Sequence, residues 1–354
     1  MTATNHSWPD VLTGLVRGED MTPEVTRWAM REILGGNATP VQIAGFAVAL
    51  SAKGETVDEV AGLAEVMLEY ARPVHVDTRA VDVVGSGGDR ANTVNISTMS
   101  AIVAAAGGAK VVKHGNRAAS SMCGTADCLE ALGLVLDLAP EKQQRVMDAE
   151  GIVFLFAPLY HGSLKYAAAP RRELGIATIF NFLGPLSNPA RPQAQAIGIA
   201  NEEMAGLIAG VLAKRGNQGM VFYGGDGLDE LTTTTTSKVW LINHGRVVST
   251  SLDPADLGIA RADKSDLVGG DPSVNATVVR ETFAGRPGPV RDIVVLNAAA
   301  TLLAYDGPDL DSDITEQFRV YVQRASETID AGRALARLDS WVATTRRLAE
   351  EQVG

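Results

Sequence analysis

Cysteine is scarce in this chain of 354 residues, where only Cys123 and Cys128 occur. Their spacing, with no His/Cys cluster nearby, matches neither a zinc site nor a disulfide framework, which leaves two packed thiols in a reducing compartment. Positive charge is also short. Lys and Arg total 31 against 42 Asp and Glu, giving a formal net charge of −11, which argues against a nucleic-acid partner. No window approaches the about 18–20 uninterrupted apolar residues of a membrane span, so no membrane partner is expected. Met1 to Asp10 is polar and lacks the apolar stretch of a signal peptide, so the expectation is a soluble, cytoplasmic protein. Two common phosphate loops are missing as well. No Gly-Lys-Ser/Thr completes a Walker A motif, and Arg90 stands where a Rossmann fingerprint would place its third glycine.

What remains is ordinary globular material, 46% apolar and 21% charged, long enough for one large α/β domain and a smaller unit. The first 75 residues predict helices. Thr22-Pro23 is an N-cap with proline at the first helical position, and Gly35-Gly36 ends that helix. Thr39-Pro40-Val41-Gln42 and Thr56-Val57-Asp58-Glu59 are capping boxes. From Ala80 the pattern becomes βα alternation, which means a central, mainly parallel sheet. Strands are expected at 80–84, 109–112, 151–156, 194–199 and 219–223, with helices at 97–106, 124–132 and 202–214. A hairpin follows at 238–242 and 246–252, and helices return at 293–305, 316–331 and 335–342. The stretch 162–185 is helical again. It is assigned to the smaller unit, giving residues 1–75 with an excursion at 162–185 against 76–161 and 186–354, with a cleft between them.

Four segments carry candidate chemistry. Gly85-Ser86-Gly87-Gly88-Asp89 follows a strand and leads through Thr93 and Asn95-Ile96-Ser97-Thr98 into a helix start, a phosphate cradle of backbone N–H groups and hydroxyls. A plain strand-to-helix turn explains the glycines equally well. Lys113-His114-Gly115-Asn116-Arg117-Ala118-Ala119-Ser120-Ser121 concentrates cations, an amide and hydroxyls where a buried strand should end, although a solvated basic loop would look similar. Asp229-Glu230, after a glycine turn, offers two hard oxygen ligands for Mg²⁺, or an ordinary acidic turn. The five threonines after Leu231 read as β-rich. Arg171 in Pro170-Arg171-Arg172-Glu173 suits a planar carboxylate, or a surface ion pair with Glu173.

Taken in order, these motifs resemble anthranilate phosphoribosyltransferase over nearly the whole chain. Gly124-Thr125-Ala126-Asp127, Asn181-Phe182-Leu183-Gly184-Pro185 and Leu296-Asn297-Ala298-Ala299 belong to the same pattern. The resemblance implies a small helical domain, a larger α/β domain and a homodimer formed through the helical domains. It implies transfer of phosphoribose from 5-phosphoribosyl-1-pyrophosphate (PRPP) to anthranilate in tryptophan synthesis, with Mg²⁺, two ions, as cofactor. By motif, PRPP would be held by Gly85, Gly87, Gly88, Asp89, Thr93, Asn95 through Thr98, Lys113, Gly115 through Ser121, and Thr125. Ser97, Asp229 and Glu230 would serve the metal. Gly85, His114, Asn116, Pro158 and Arg171 would contact anthranilate, Arg171 through its carboxylate.

The pattern is broken at three places. Ser86 replaces a threonine, Arg90 replaces a small residue, and Tyr160-His161-Gly162-Ser163-Leu164-Lys165 lacks the usual His-Pro start. No covalent nucleophile is implied. His114 is a candidate for late removal of the amine proton or for shaping its loop by hydrogen bonding. Three alternatives stay open: a paralogue with another aromatic acceptor, a pyrimidine nucleoside phosphorylase, and a nucleic-acid-binding relative.

Overall fold

Threonine and proline set the helix starts of the first unit. In the computed structural model, which describes residues 6–118 and 121–353, the chain opens with α1 (Trp8–Val16), α2 (Pro23–Leu34), α3 (Pro40–Lys53) and α4 (Val57–Glu69). Thr22 caps α2, and the boxes Thr39/Gln42 and Thr56/Glu59 close in both directions on α3 and α4. Each box satisfies N–H groups that a helix start leaves open. α2 packs on α4 and α1 on α3, with Ile33, Phe46, Leu50 and Leu63 buried.

The chain then builds β1 (Val81–Gly85), α5 (Ile96–Ala106), β2 (Val111–Gly115), α6 (Thr125–Ala131), α7 (Pro140–Glu150) and β3 (Ile152–Phe156). It continues through α8 (Ala157–Tyr160), α9 (Lys165–Leu174) and α10 (Ile179–Phe182), where α9 and α10 pack against α3. It returns as β4 (Ala194–Gly198), α11 (Glu202–Lys214), β5 (Gln218–Gly224), β6 (Ser237–Asn243) and β7 (Arg246–Leu252), and ends in α12 (Pro272–Phe283), α13 (Pro289–Asp306), α14 (Ile314–Asp330) and α15 (Arg333–Val353). Two compact units result. The helical one runs to Arg72 and takes in Pro158–Pro189, and the α/β one holds Pro73–Ala157 and the chain from Ala190.

The α/β unit is a seven-stranded sheet in the order β3-β2-β1-β4-β5-β6-β7, parallel from β3 to β5 and antiparallel from there to β7. The chain leaves β1 toward β2 and later enters β4 on the other side of β1. The C-terminal ends of β1 and β4 are therefore the topological switch point, where open α/β sheets bind ligands. Gly85 and Gly198 pair there. α13, buried continuously from Ile293 to Ala304, lies on β1, β4 and β5 and packs against α5. No helix of the described residues is long and apolar enough to cross a membrane.

Several expectations shift. The second strand runs Val111–Gly115, so Lys113 and His114 are strand residues and not the start of a loop. A central strand accommodates this lysine because its ammonium finds oxygen partners. The five threonines are irregular rather than β. Hydroxyls of Thr232 and Thr234 donate to Asp226 (2.9 and 2.6 Å), and such local bonds outweigh the β preference of threonine. The last helix extends to Val353, well past 342, while α7 and α12 were not anticipated.

Candidate functional site

Two glycine positions at the switch point decide what can sit above them. A Cβ at Gly85 would collide with the Asp229 carboxylate, and one at Gly198 with the Asp229 carbonyl, so both strand ends must be glycine for Asp229 to reach its place. The Gly87 N–H donates to Asp229 Oδ2 at 2.6 Å. Gly87 and Gly88 hold left-handed backbone, φ 71° and 87°, and are exposed, which turns the loop outward over the carboxylates. Asp89 lies beside Asp229, and its own carboxylate takes the Ala91 N–H at 3.1 Å.

Beneath this loop Lys113, 1% exposed, crosses from β2 to donate to the Val83 carbonyl (2.6 Å) and the Ser97 hydroxyl (3.2 Å). Burial pulls its pKa down, and Asp82, Glu230 and Asp229 oppose that. Burial pushes Asp229 up to about 7, reinforced by the Asp89 charge and opposed by the Gly87 N–H. Glu230 is raised well above the ordinary carboxylate range by burial and then by Asp229, with Lys113 and the Ser97 backbone opposing. Lys113 alone thus leaves Asp229 and Glu230 under-compensated, and a divalent cation would relieve the cost of burying them. Among the described residues no three His, Cys, Asp or Glu side chains form a metal cluster. An ion here would draw other ligands from Ser97, phosphate and water, as Mg²⁺ commonly does.

The neighbouring loop is closed on itself. Asp127 Oδ2 accepts the N–H groups of Ala118 and Gly124, each at 3.0 Å, and Gly124 must lack a Cβ because the Arg117–Ala118 backbone passes over it. Arg117 pairs with Asp127 and Glu130, 2.8 Å each, and lies 5.5 Å over Phe156. Asn116, at the mouth of the loop, gives its carbonyl to the Ala126 N–H. Gly115 ends β2, and Thr98 reaches the Thr125 hydroxyl at 3.4 Å. Asn95 is held in place: its amide donates to the Cys123 carbonyl, and its oxygen accepts from the Cys123 thiol and from Asn275. The Ser121 hydroxyl also reaches the Cys123 carbonyl. Thr93 bridges to Val268, while Ile96 starts α5 as a buried residue. Ala119 and Ser120 lie outside the described residues. His114 is 4% exposed inside β2, with its backbone N–H on Asp82 at 3.1 Å.

Pro158 and Arg171 fall in the helical unit, the first exposed, the second half-buried on α9. Arg171 stands 6.0 Å from the Phe180 ring, burial lowers its pKa, and among the described residues no carboxylate pairs with it. The ion pair with Glu173 considered from the sequence is therefore not made.

Comparison with known proteins gives the same arrangement a family. Residues 77–335 match the model described as "Glycosyl transferase family, a/b domain", and residues 9–71 match "Glycosyl transferase family, helical bundle domain". The anthranilate phosphoribosyltransferase of Thermobifida fusca (strain YX) is 56% identical over 98% of this chain and 99% of its own. This chain belongs to the anthranilate phosphoribosyltransferase family. The solved anthranilate phosphoribosyltransferase of Thermus thermophilus is 38% identical, with a TM-score of 0.87 over 95% of this chain and 99% of its own. That of Saccharomyces cerevisiae, in complex with PRPP and Mg, is 25% identical, with a TM-score of 0.79 over 96% of this chain and 94% of its own.

Within this family the departures have structural readings. The Ser86 hydroxyl accepts the Ala200 N–H at 3.1 Å and donates to the Gly87 carbonyl, a bridge a threonine would also make. Arg90 holds left-handed backbone, φ 58°, where a residue with a Cβ costs about 1–2 kcal/mol and glycine fits freely, which suits the glycine among the residues usual at this position. His161 is buried, with Nε2 2.8 Å from the Ser187 carbonyl. The sequence reading gave no role to Gly198, Asn275 or Asn297. Gly198 could have been found as the glycine near the end of a predicted strand, and Asn297 as the amide of the Leu296–Ala299 motif, whereas Asn275 had no local signal.

Proposed function

We propose that this chain transfers the 5-phosphoribosyl group of PRPP to the amine of anthranilate, giving N-(5-phosphoribosyl)anthranilate and pyrophosphate, in tryptophan biosynthesis. The observation that carries the reading is the buried Asp229-Glu230 pair, set with Lys113 and Ser97 under a glycine loop at the switch point. The site is read as taking Mg²⁺, two ions, through Ser97, Asp229, Glu230 and substrate oxygens. When bound, Mg²⁺ would stabilise the charge that gathers on the departing pyrophosphate.

The protein's own part is positioning and electrostatics. The Gly87 N–H serves Asp229 and the Ser86 N–H the Gly198 carbonyl, so Gly88, Asp89 and the hydroxyls of Ser97 and Thr98 are read as the phosphate donors, with the Lys113 amine beneath them. The residues at 93, 95–98, 113, 115–121 and 125 are read as the PRPP pocket. Arg171 takes the anthranilate carboxylate, with Asn116, His114, Gly85 and Pro158 toward the rest of the acceptor. An aniline nitrogen is largely unprotonated at neutral pH, so its lone pair needs no strong base, and holding it behind C1 of the ribose is the remaining task. The reading includes a homodimer through the helical unit. Val41 and Val48, seven residues apart on α3 and exposed, support an apolar contact there.

Loss of anthranilate fluorescence on mixing protein, PRPP and Mg²⁺ tests the reading. Decay should require all three components. No decay together with phosphate-dependent cleavage of thymidine would overturn it in favour of a nucleoside phosphorylase.

A further inference from the structure

Asp229 and Glu230 lie in an irregular loop between β5 and β6, so no strand or helix ladder fixes them. They are also neighbouring carboxylates buried together, which favours spreading apart. What holds the loop comes from a distant part of the chain. The Leu231 N–H donates to Asn297 Oδ1 at 2.9 Å, and Asn297 Nδ2 donates back to the Leu231 carbonyl at 2.8 Å. The same Nδ2 donates to the Ile293 carbonyl at 2.9 Å, one turn back along α13. Asn297 is 1% exposed and Leu231 is fully buried.

A carboxamide on a helix whose neighbours from Ile293 to Ala304 are buried is costly unless every polar atom is used, and here both are. Simple adhesion of loop to helix would need only the buried leucine. Two antiparallel bonds to one residue do more, because they restrain rotation of the peptides on both sides of Leu231, including the one that carries Glu230. Gly198, lacking a Cβ, lets the Asp229 backbone lie close against β4, and the Gly87 N–H orients its carboxylate from above.

We propose that Asn297 is a positioning residue that fixes the Asp229 and Glu230 carboxylates at the spacing needed to hold a divalent cation. This rests on reading those carboxylates as the metal ligands. Among the described residues the Asn297 carboxamide bonds only to Leu231 and Ile293, so its role is exerted through the loop. Its effect is to remove, before binding, the freedom that the ion would otherwise have to freeze out.

The test uses the full chain with Mn²⁺ as probe, its binding in the presence of PRPP measured by loss of the free-ion electron paramagnetic resonance signal. Asn297→Ala and Asn297→Leu are compared with the wild type, the second keeping the packing volume should the first fold poorly. Loss of outer partners of metal ligands weakens metal affinity about 10–100-fold, and a weakening in that range is expected for both variants. The anthranilate KM at saturating Mg²⁺ should stay close to that of the wild type. A purely structural asparagine would lower the melting temperature and leave Mn²⁺ affinity unchanged, which would overturn the proposal. Asp229→Asn with Glu230→Gln is run alongside. If that double variant binds Mn²⁺ like the wild type, the metal-site reading itself fails. If it loses Mn²⁺ while both Asn297 variants keep it, only the role of Asn297 fails.

Discussion

In the α/β unit Arg117 sits between Asp127 and Glu130, 2.8 Å from each, with its guanidinium over Phe156. In the helical unit Arg171 has an aromatic ring at 6.0 Å and, among the described residues, no carboxylate. The same side chain is satisfied in one place and left half-buried without a counter-charge in the other. Glu130 and Asp127 hold the Arg117 guanidinium protonated even more firmly than usual, whereas burial works against the charge on Arg171. An incoming carboxylate would gain a full bidentate partner at Arg171, but at Arg117 it would have to displace two acids. Arg117 therefore braces its loop, and the absence of a carboxylate beside Arg171 among the described residues supports its proposed role toward the anthranilate carboxylate.

The α/β unit shows the opposite imbalance at Asp229 and Glu230, where negative charge exceeds what Lys113 supplies. Among the described residues, then, the acidic pair has more negative charge than its lysine answers, and Arg171 has no carboxylate beside it. The sharpest break of this contrast is to neutralise the acidic side. Asp229→Asn with Glu230→Gln should lower Mg²⁺-dependent turnover by about a thousandfold or more, since metal stabilisation of developing charge is worth several kcal/mol. Steady-state rates across a magnesium series check this, and retained activity at ordinary magnesium would remove the pair from the metal site.

Arg171→Ala comes next in size. Leaving the partner of a desolvated charge pair alone costs about 2–5 kcal/mol, so kcat/KM for anthranilate should fall by roughly 30- to 4000-fold. The PRPP KM should change little, and equal damage to both substrates would count against the carboxylate role.

Acidity separates the units further. Burial pushes the Asp229 carboxyl up to about 7, and as the proposed metal ligand it must be ionised to bind, so protons compete with Mg²⁺ chiefly below that value. Proton competition at Asp229 alone should lower the half-saturating Mg²⁺ concentration about fivefold as pH rises from 6 to 7, with the dependence flattening at higher pH. A magnesium requirement independent of pH over this range would contradict the burial of a protonated Asp229. Arg117 belongs to the proposed PRPP pocket through the loop it shapes, its guanidinium being held by Asp127 and Glu130, so Arg117→Ala should raise the PRPP KM modestly and be the mildest of the four. Its side chain is 46% exposed, and such ion pairs contribute at most about 1 kcal/mol, read as a small drop in melting temperature.

The helix starts were legible in the sequence because capping is local: Thr22-Pro23 and the two boxes use residues at most three apart. α12 carries a similar local signal in Asp271-Pro272, whose aspartate caps Ser273 and Val274. The threonine run misled because its hydroxyls answer to Asp226, a partner set by a turn rather than by strand preference. The site shows the same divide. Glycine loops, Lys113 and the acidic pair announce themselves as clusters of unusual residues, while Asn275 and Asn297 act across 180 and 66 residues of sequence. Nor could spacing alone reveal that Arg117 is paired and Arg171 is not.

The most direct test of the contrast between the arginines is a cycle that removes each partner of the expected pair. Initial rates with anthranilate and with its carboxamide analogue would be compared for the wild type and Arg171→Ala. If Arg171 reads the carboxylate, the wild type strongly prefers anthranilate and the variant loses most of that preference. An unchanged preference in Arg171→Ala, or its loss in Arg117→Ala instead, would contradict the account.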